Sequence, residues 1–184
     1  QPARVTVLPH RQAPAAAALP RGAGAAPDNA AAARLGQAVH RVLEWAGQPG
    51  HAMPRSEWSF ACQAAARALG LPAAAATRVL ALASSVLDSP ECTRFFSGPA
   101  LSWAGNEVPL AWRGELLRID RLVALAEGDA KVWWVLDYKL QADPAAMPGY
   151  RDQLQRYVAA VALLQPGDRV HGAFISGQGR VVPL

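Results

Sequence analysis

Apolar positions recur with helical spacing from residue 29 onward. Leu35, Val39, Val42, Leu43 and Ala46 fall on one stripe, which predicts a helix over about 29–46. Asp28 or Asn29 serves as its cap, and Gly47, Pro49 and Gly50 end it. Alanine-rich stretches over 56–69 and about 73–87 predict two more helices, separated by Gly70 and Pro72. A short helix fits 90–97. These segments read as a helical layer covering one side of something else.

At Leu101 the period changes from helical to alternating. Val108, Leu110 and Trp112 alternate along a strand that Glu107 and Pro109 begin. Gly114 turns the chain into a strand over 116–125, and Glu127-Gly128-Asp129 turns it again. The stretch 131–138 is apolar almost without interruption, which predicts burial on both faces. A loop over 141–148 leads to a helix over about 149–164, with Tyr150, Gln153, Leu154, Tyr157, Val161 and Leu164 on one side. Strands over 170–176 and 180–182 close the chain. The order predicts an α/β (α+β) domain over 29–184. It has a central mixed sheet, an N-terminal helical layer and one crossover helix, which sets the later strand parallel to the one containing Asp137.

Composition adds bounds. Residues 1–28 are rich in alanine, proline and glycine without a period, and read as a linker or disordered arm. In 184 residues, Cys62 and Cys92 are the only cysteines. They suggest a reducing compartment and exclude a disulfide framework or a four-cysteine cluster built by this chain alone. No apolar run reaches membrane-spanning length and no secretory signal is visible, so a cytoplasmic protein without a membrane partner is expected. A net charge of +4 is compatible with a polyanionic partner and equally with an ordinary basic surface.

The chemistry concentrates in 117–139. Asp120 and Asp137 lie in two apolar strands, where a carboxylate is unfavourable unless paired or bound to a metal. Asp137 and Lys139 are two apart and share a strand face. Two acids and a lysine suit divalent-metal phosphodiester chemistry, with hard carboxylate ligands for Mg²⁺ or Mn²⁺ and a lysine to position or deprotonate water. They equally suit a buried ion pair with no chemistry. His40 lies four residues after Gly36, which leaves room beside the imidazole; alone it is also an ordinary half-exposed helical histidine.

The motifs Gly36-x-x-x-His40, Glu107-x-Pro109, Arg118-Ile119-Asp120-Arg121-Leu122, Leu136-Asp137-Tyr138-Lys139 and Tyr150-x-x-Gln153-Leu154-x-x-Tyr157 appear in that order. Together they resemble the PD-(D/E)XK nucleases, and within them the RecB-like branch, the C-terminal nuclease domain of RecB and AddA helicase–nucleases. The resemblance covers about residue 35 to the end, with 56–100 matching only as generic helices.

It implies a restriction-endonuclease-like core. It implies metal ligation by His40, Asp120, Asp137 and the Tyr138 backbone carbonyl, with Lys139 as the catalytic lysine. Gln153 and Tyr157 would orient DNA or the water, with Gln153 counted among the catalytic residues. Glu107 would support the site or cap a surface, and Tyr150 would be a weaker, packing position. The implied activity is Mg²⁺- or Mn²⁺-dependent exonuclease or endonuclease cleavage of single-stranded DNA, in double-strand-break repair and recombination. The implied partners are DNA, a helicase region upstream in the same chain, and a second subunit. The glycine usual just before the family's first aspartate sits further upstream, at Gly114. No Walker A motif is present, so this chain by itself is not expected to hydrolyse ATP. Two other readings stay open: a DNA-binding or structural module that keeps the fold without cutting, and a restriction-type or phage-type nuclease of the same superfamily.

Overall fold

The computed structural model describes residues 27–184; the segment read as a linker lies almost wholly outside the described residues. Helix α1 runs Pro27–Ala46, two residues earlier than its apolar stripe predicts. Proline suits the first helical turn because its missing N–H has no intrahelical partner there. Helices α2 (Trp58–Ala68) and α3 (Ala75–Leu87) follow, with a 3₁₀ turn at Arg55–Glu57 before α2. The predicted short helix reduces to a 3₁₀ turn, Thr93–Phe95.

Five strands form one mixed sheet in chain order: β1 (Leu101–Trp112), β2 (Glu115–Glu127), β3 (Ala130–Lys139), β4 (Arg169–Ser176) and β5 (Val181–Pro183). The first strand begins seven residues before Val108, because its early half pairs with β2 despite its weak apolar pattern. The connection through α4 (Pro148–Leu164) makes β3 and β4 parallel, while every other pair is antiparallel.

Apolar burial divides the molecule into two layers around this sheet. On one face, α1–α3 pack Val39, Leu43, Cys62 and Val79 against Val123, Leu136 and Ile175. On the other, Leu154, Tyr157 and Val161 of α4 cover Ile119, Val135 and Phe174. Strand β3 is therefore covered on both sides, as its unbroken apolar run requires. This is the predicted α/β architecture, a five-strand mixed sheet with four helices, consistent with a restriction-endonuclease-like fold. Among the described residues no helix is long and apolar enough to cross a membrane.

Two departures from regular alternation shape the functional end of the sheet. Strands β2 and β3 pair from Glu127↔Ala130 to Arg121↔Leu136 and no further. Beyond that fork β2 continues with β1, and β3 with β4. Asp120 and Asp137 are the first residues past the fork. At the same level β1 and β2 reverse their faces together. Ala104 and Asn106 look toward the α1–α3 layer, whereas Val108 and Leu110 look toward α4. Arg121 and Val123 face α1–α3, whereas Ile119 and Leu117 face α4. The reversal falls at Glu107, whose φ of 50° is in the left-handed region, and at Asp120 opposite it. Backbone strain of this kind is unusual for a non-glycine residue and concentrates at functional sites.

Candidate metal centre

The fork and the reversal bring four acidic or imidazole side chains and one lysine to one end of the sheet. On the helical side, His40 Nε2 stands 3.2 Å from Glu107 Oε1 and 3.8 Å from Asp120 Oδ1. One ligand atom from each of these three residues lies within 4.8 Å of the others, as a metal-binding group requires. His40 comes from the fourth turn of α1, and Glu107 and Asp120 come from the two reversing strands. Glu107 is also held by Arg118, with Nε 2.8 Å from Oε2.

On the α4 side, Lys139 Nζ lies 2.8 Å from Asp137 Oδ1 and 2.7 Å from Oδ2. The predicted shared face of Asp137 and Lys139 is thus present. Asp120 bridges the two halves. It faces Asp137 across the fork, and its Oδ2 accepts a 3.0 Å hydrogen bond from the Tyr138 N–H. The Tyr138 N–H is thereby held against Asp120. The Tyr138 ring packs edge-on to His40, at 5.2 Å, and stacks on Phe96.

Electrostatics separates the groups. Burial works against the imidazolium of His40. The Glu107 carboxylate 3.2 Å away and the fields of Asp120 and Glu44 outweigh it, so His40 holds its proton above the ordinary imidazole range. The same contact, opposed by burial and helped by the charges of His40, Arg118 and Arg41, keeps Glu107 ionised below the usual carboxylate range. Asp137 moves the other way. Burial first, then the charge and hydrogen bond of Asp120, push it up to about 7 against the pull of Lys139. Two carboxylates this close cannot both ionise cheaply without a cation.

The residues fit a divalent cation. His40 Nε2 is buried and has no hydrogen-bond partner of proper geometry, while acids converge on it. The donor set of carboxylate oxygens with one imidazole suits Mg²⁺ or Mn²⁺. Asp137 stands outside the three-residue group, against Asp120.

Of the remaining predicted residues on α4, Tyr150 lines the cleft that opens onto the site, and Gln153 and Tyr157 do not. Gln153 Nε2 donates to Tyr157 Oη at 2.9 Å, and Tyr157 is buried against the sheet. Lys139 Nζ sits 4.7 Å from the Tyr150 ring centre, so Tyr150 touches the lysine rather than only packing. A cleft of about 870 Å³ opens onto His40, Asp120, Tyr138 and Lys139, with Gly36 and Tyr150 also in its wall. A Cβ at Gly36 meets only Leu140, at 3.7 Å, so the glycine widens the cleft without being forced by packing. Arg78 of α3 lines the same cleft with an exposed guanidinium. Sequence reasoning missed Arg78, which sits in an unremarkable helical period. Glu107, which the sequence left between supporting the site and capping a surface, stands in the three-residue group, and its orientation depends on a backbone turn that no spacing rule contains.

The family described as the PD-(D/E)XK nuclease superfamily matches residues 11–180. The chain belongs to this superfamily, whose members are metal-dependent nucleases. The matched range begins inside the alanine- and proline-rich segment. No curated protein matches the chain. Among solved structures, one titled "Crystal structure of SSO0001" is 13% identical and covers 85% of this chain and 75% of that one. Its TM-score is 0.29, too low to bear on the fold or the site.

Proposed function

We propose that the chain is a Mg²⁺- or Mn²⁺-dependent deoxyribonuclease domain that cuts single-stranded DNA. The observation that carries this reading is the cluster of His40, Glu107 and Asp120 beside the Asp137–Lys139 pair, with His40, Asp120 and Lys139 lining one cleft. His40, Asp120 and Asp137, with the Tyr138 carbonyl, would hold the cation, and Glu107 stands beside them. A bound cation polarises a phosphate oxygen and makes a nearby water more acidic.

The protein residues supply positioning. Lys139, tethered by Asp137, orients the attacking water and takes part in moving its proton. Water oxygen bonds to phosphorus, the bond to the leaving sugar oxygen breaks, and that oxygen gains a proton. Gln153 and Tyr157 orient the strand or the water from α4, and Arg78 offers a cation to a phosphate in the cleft. The cleft is walled by α1 and α3 on its helical side. The RecB-like motif order supports a finer reading still: the C-terminal part of a cytoplasmic helicase–nuclease, acting in double-strand-break repair and recombination beside a second subunit.

Cleavage of end-labelled single-stranded DNA with Mn²⁺ tests the reading. Wild type should cut and Asp137→Ala should not. Equal behaviour of the two would remove the nuclease assignment and leave a DNA-binding module.

A further inference from the structure

Arg121 is among the largest fully buried side chains, 1% exposed, and the chemistry above does not use it. Among the described residues no carboxylate pairs with it. Its Nε and Nη2 donate to the Phe95 carbonyl at 2.9 and 2.7 Å. Its Nη1 donates to the Gly47 carbonyl at 2.8 Å and to Asn106 Oδ1 at 2.5 Å. Its guanidinium lies 4.8 Å from the centre of the Phe96 ring. Asn106 in turn donates to the carbonyls of Glu44 and Gly47, at 2.8 and 3.2 Å. A buried cation without an anion is costly, and an apolar side chain would fill this space more cheaply. The fork of donors must serve something other than core packing.

We propose that Arg121 is a positioning residue that sets the geometry of the metal centre. Asp120 precedes it in β2. Its partner Asn106 precedes Glu107 in β1. Its other partner, Gly47, directly follows α1, the helix that carries His40. One guanidinium thus ties together the three chain segments that supply the three clustered ligands, next to the point where β1 and β2 reverse their faces. Gly47 completes the device. A Cβ there would lie 2.3 Å from Arg121 Nη1 and 2.8 Å from Cζ, so only glycine leaves room for the guanidinium. What reads in sequence as a helix stop is also the seat of the clamp.

This inference rests on the metal-site reading, and the experiment separates the two. Arg121→Lys keeps the charge but loses the planar fork. Gly47→Ala pushes on the same guanidinium from the other side. Val132→Ala, at the far end of β3, is the control for a general loss of stability. Two properties are read on the folded proteins: calorimetric affinity for Mn²⁺, and amide hydrogen exchange of Tyr138 without metal, which reports on its bond to Asp120. Both clamp variants should lose roughly tenfold in Mn²⁺ affinity, as outer groups that orient ligands do. Both should exchange the Tyr138 amide faster, and Val132→Ala should do neither. Wild-type affinity and unchanged Tyr138 protection in both clamp variants would overturn the proposal. If wild type itself binds no Mn²⁺, the metal reading fails, and the Tyr138 amide alone decides the clamp.

Discussion

Replacing Asp137 by asparagine should stabilise the metal-free fold while destroying its activity. Asp137 is buried against Asp120, and its side chain is only 4% exposed. Its rise from 3.8 to about 7 means that ionising it in the fold costs roughly 4 kcal/mol relative to the unfolded chain. The sign follows directly. Because the folded value is the higher one, the folded state binds more protons between the two values. Stability therefore falls as pH rises from about 4 through about 7. Asparagine keeps the shape and never ionises. The variant should lack this loss and should exceed wild type at pH 8 by up to about 4 kcal/mol, with little difference at pH 4. Urea denaturation in a chelating buffer at several pH values measures this. Saturating Mn²⁺ should then restore wild type by about 3 kcal/mol at a hundred times its dissociation constant, and the variant by much less. A variant with the same pH slope as wild type, or less stable at pH 8, would refute the argument that the acid is held in a costly state for a cation.

Lys139→Met should reduce cleavage at least 100-fold while leaving Mn²⁺ affinity within a few-fold, measured by single-turnover kinetics and calorimetry. Arg78→Ala should weaken binding of single-stranded DNA, raise KM with little change in kcat, and lower the salt dependence of binding by about one phosphate contact. Glu107→Gln removes the leading cause that raises His40, so the imidazole titration followed by NMR should move down. The stability that His40 contributes is present below its unfolded value and is lost as pH rises through the folded one; in Glu107→Gln that loss should begin at lower pH.

The common face of Asp137 and Lys139 and the α4 face were legible in the sequence because each follows from a local period, whereas His40 stood out only through the resemblance. A strand repeats every two residues, so Asp137 and Lys139 had to share a face. A helix repeats every 3.6, so Gln153, Leu154 and Tyr157 had to line one side. The layer order followed as well, because the apolar run of β3 needs cover on both faces and α4 crosses between two parallel strands. The meeting of these pieces was not legible. The fork between β2 and β3 after Arg121↔Leu136 decides that Asp120 faces both Asp137 and His40. The left-handed turn at Glu107 decides that its carboxylate reaches the imidazole instead of the surface. Arg121 stood in the sequence only as one residue of the Arg118–Leu122 motif. Its partners Gly47, Phe95 and Asn106 come from three separate segments, and its role exists only once they are packed around it. Local periodicity determines which residues an element can offer. Where a strand breaks its period, and which distant backbone meets it there, is set by packing across the whole sheet.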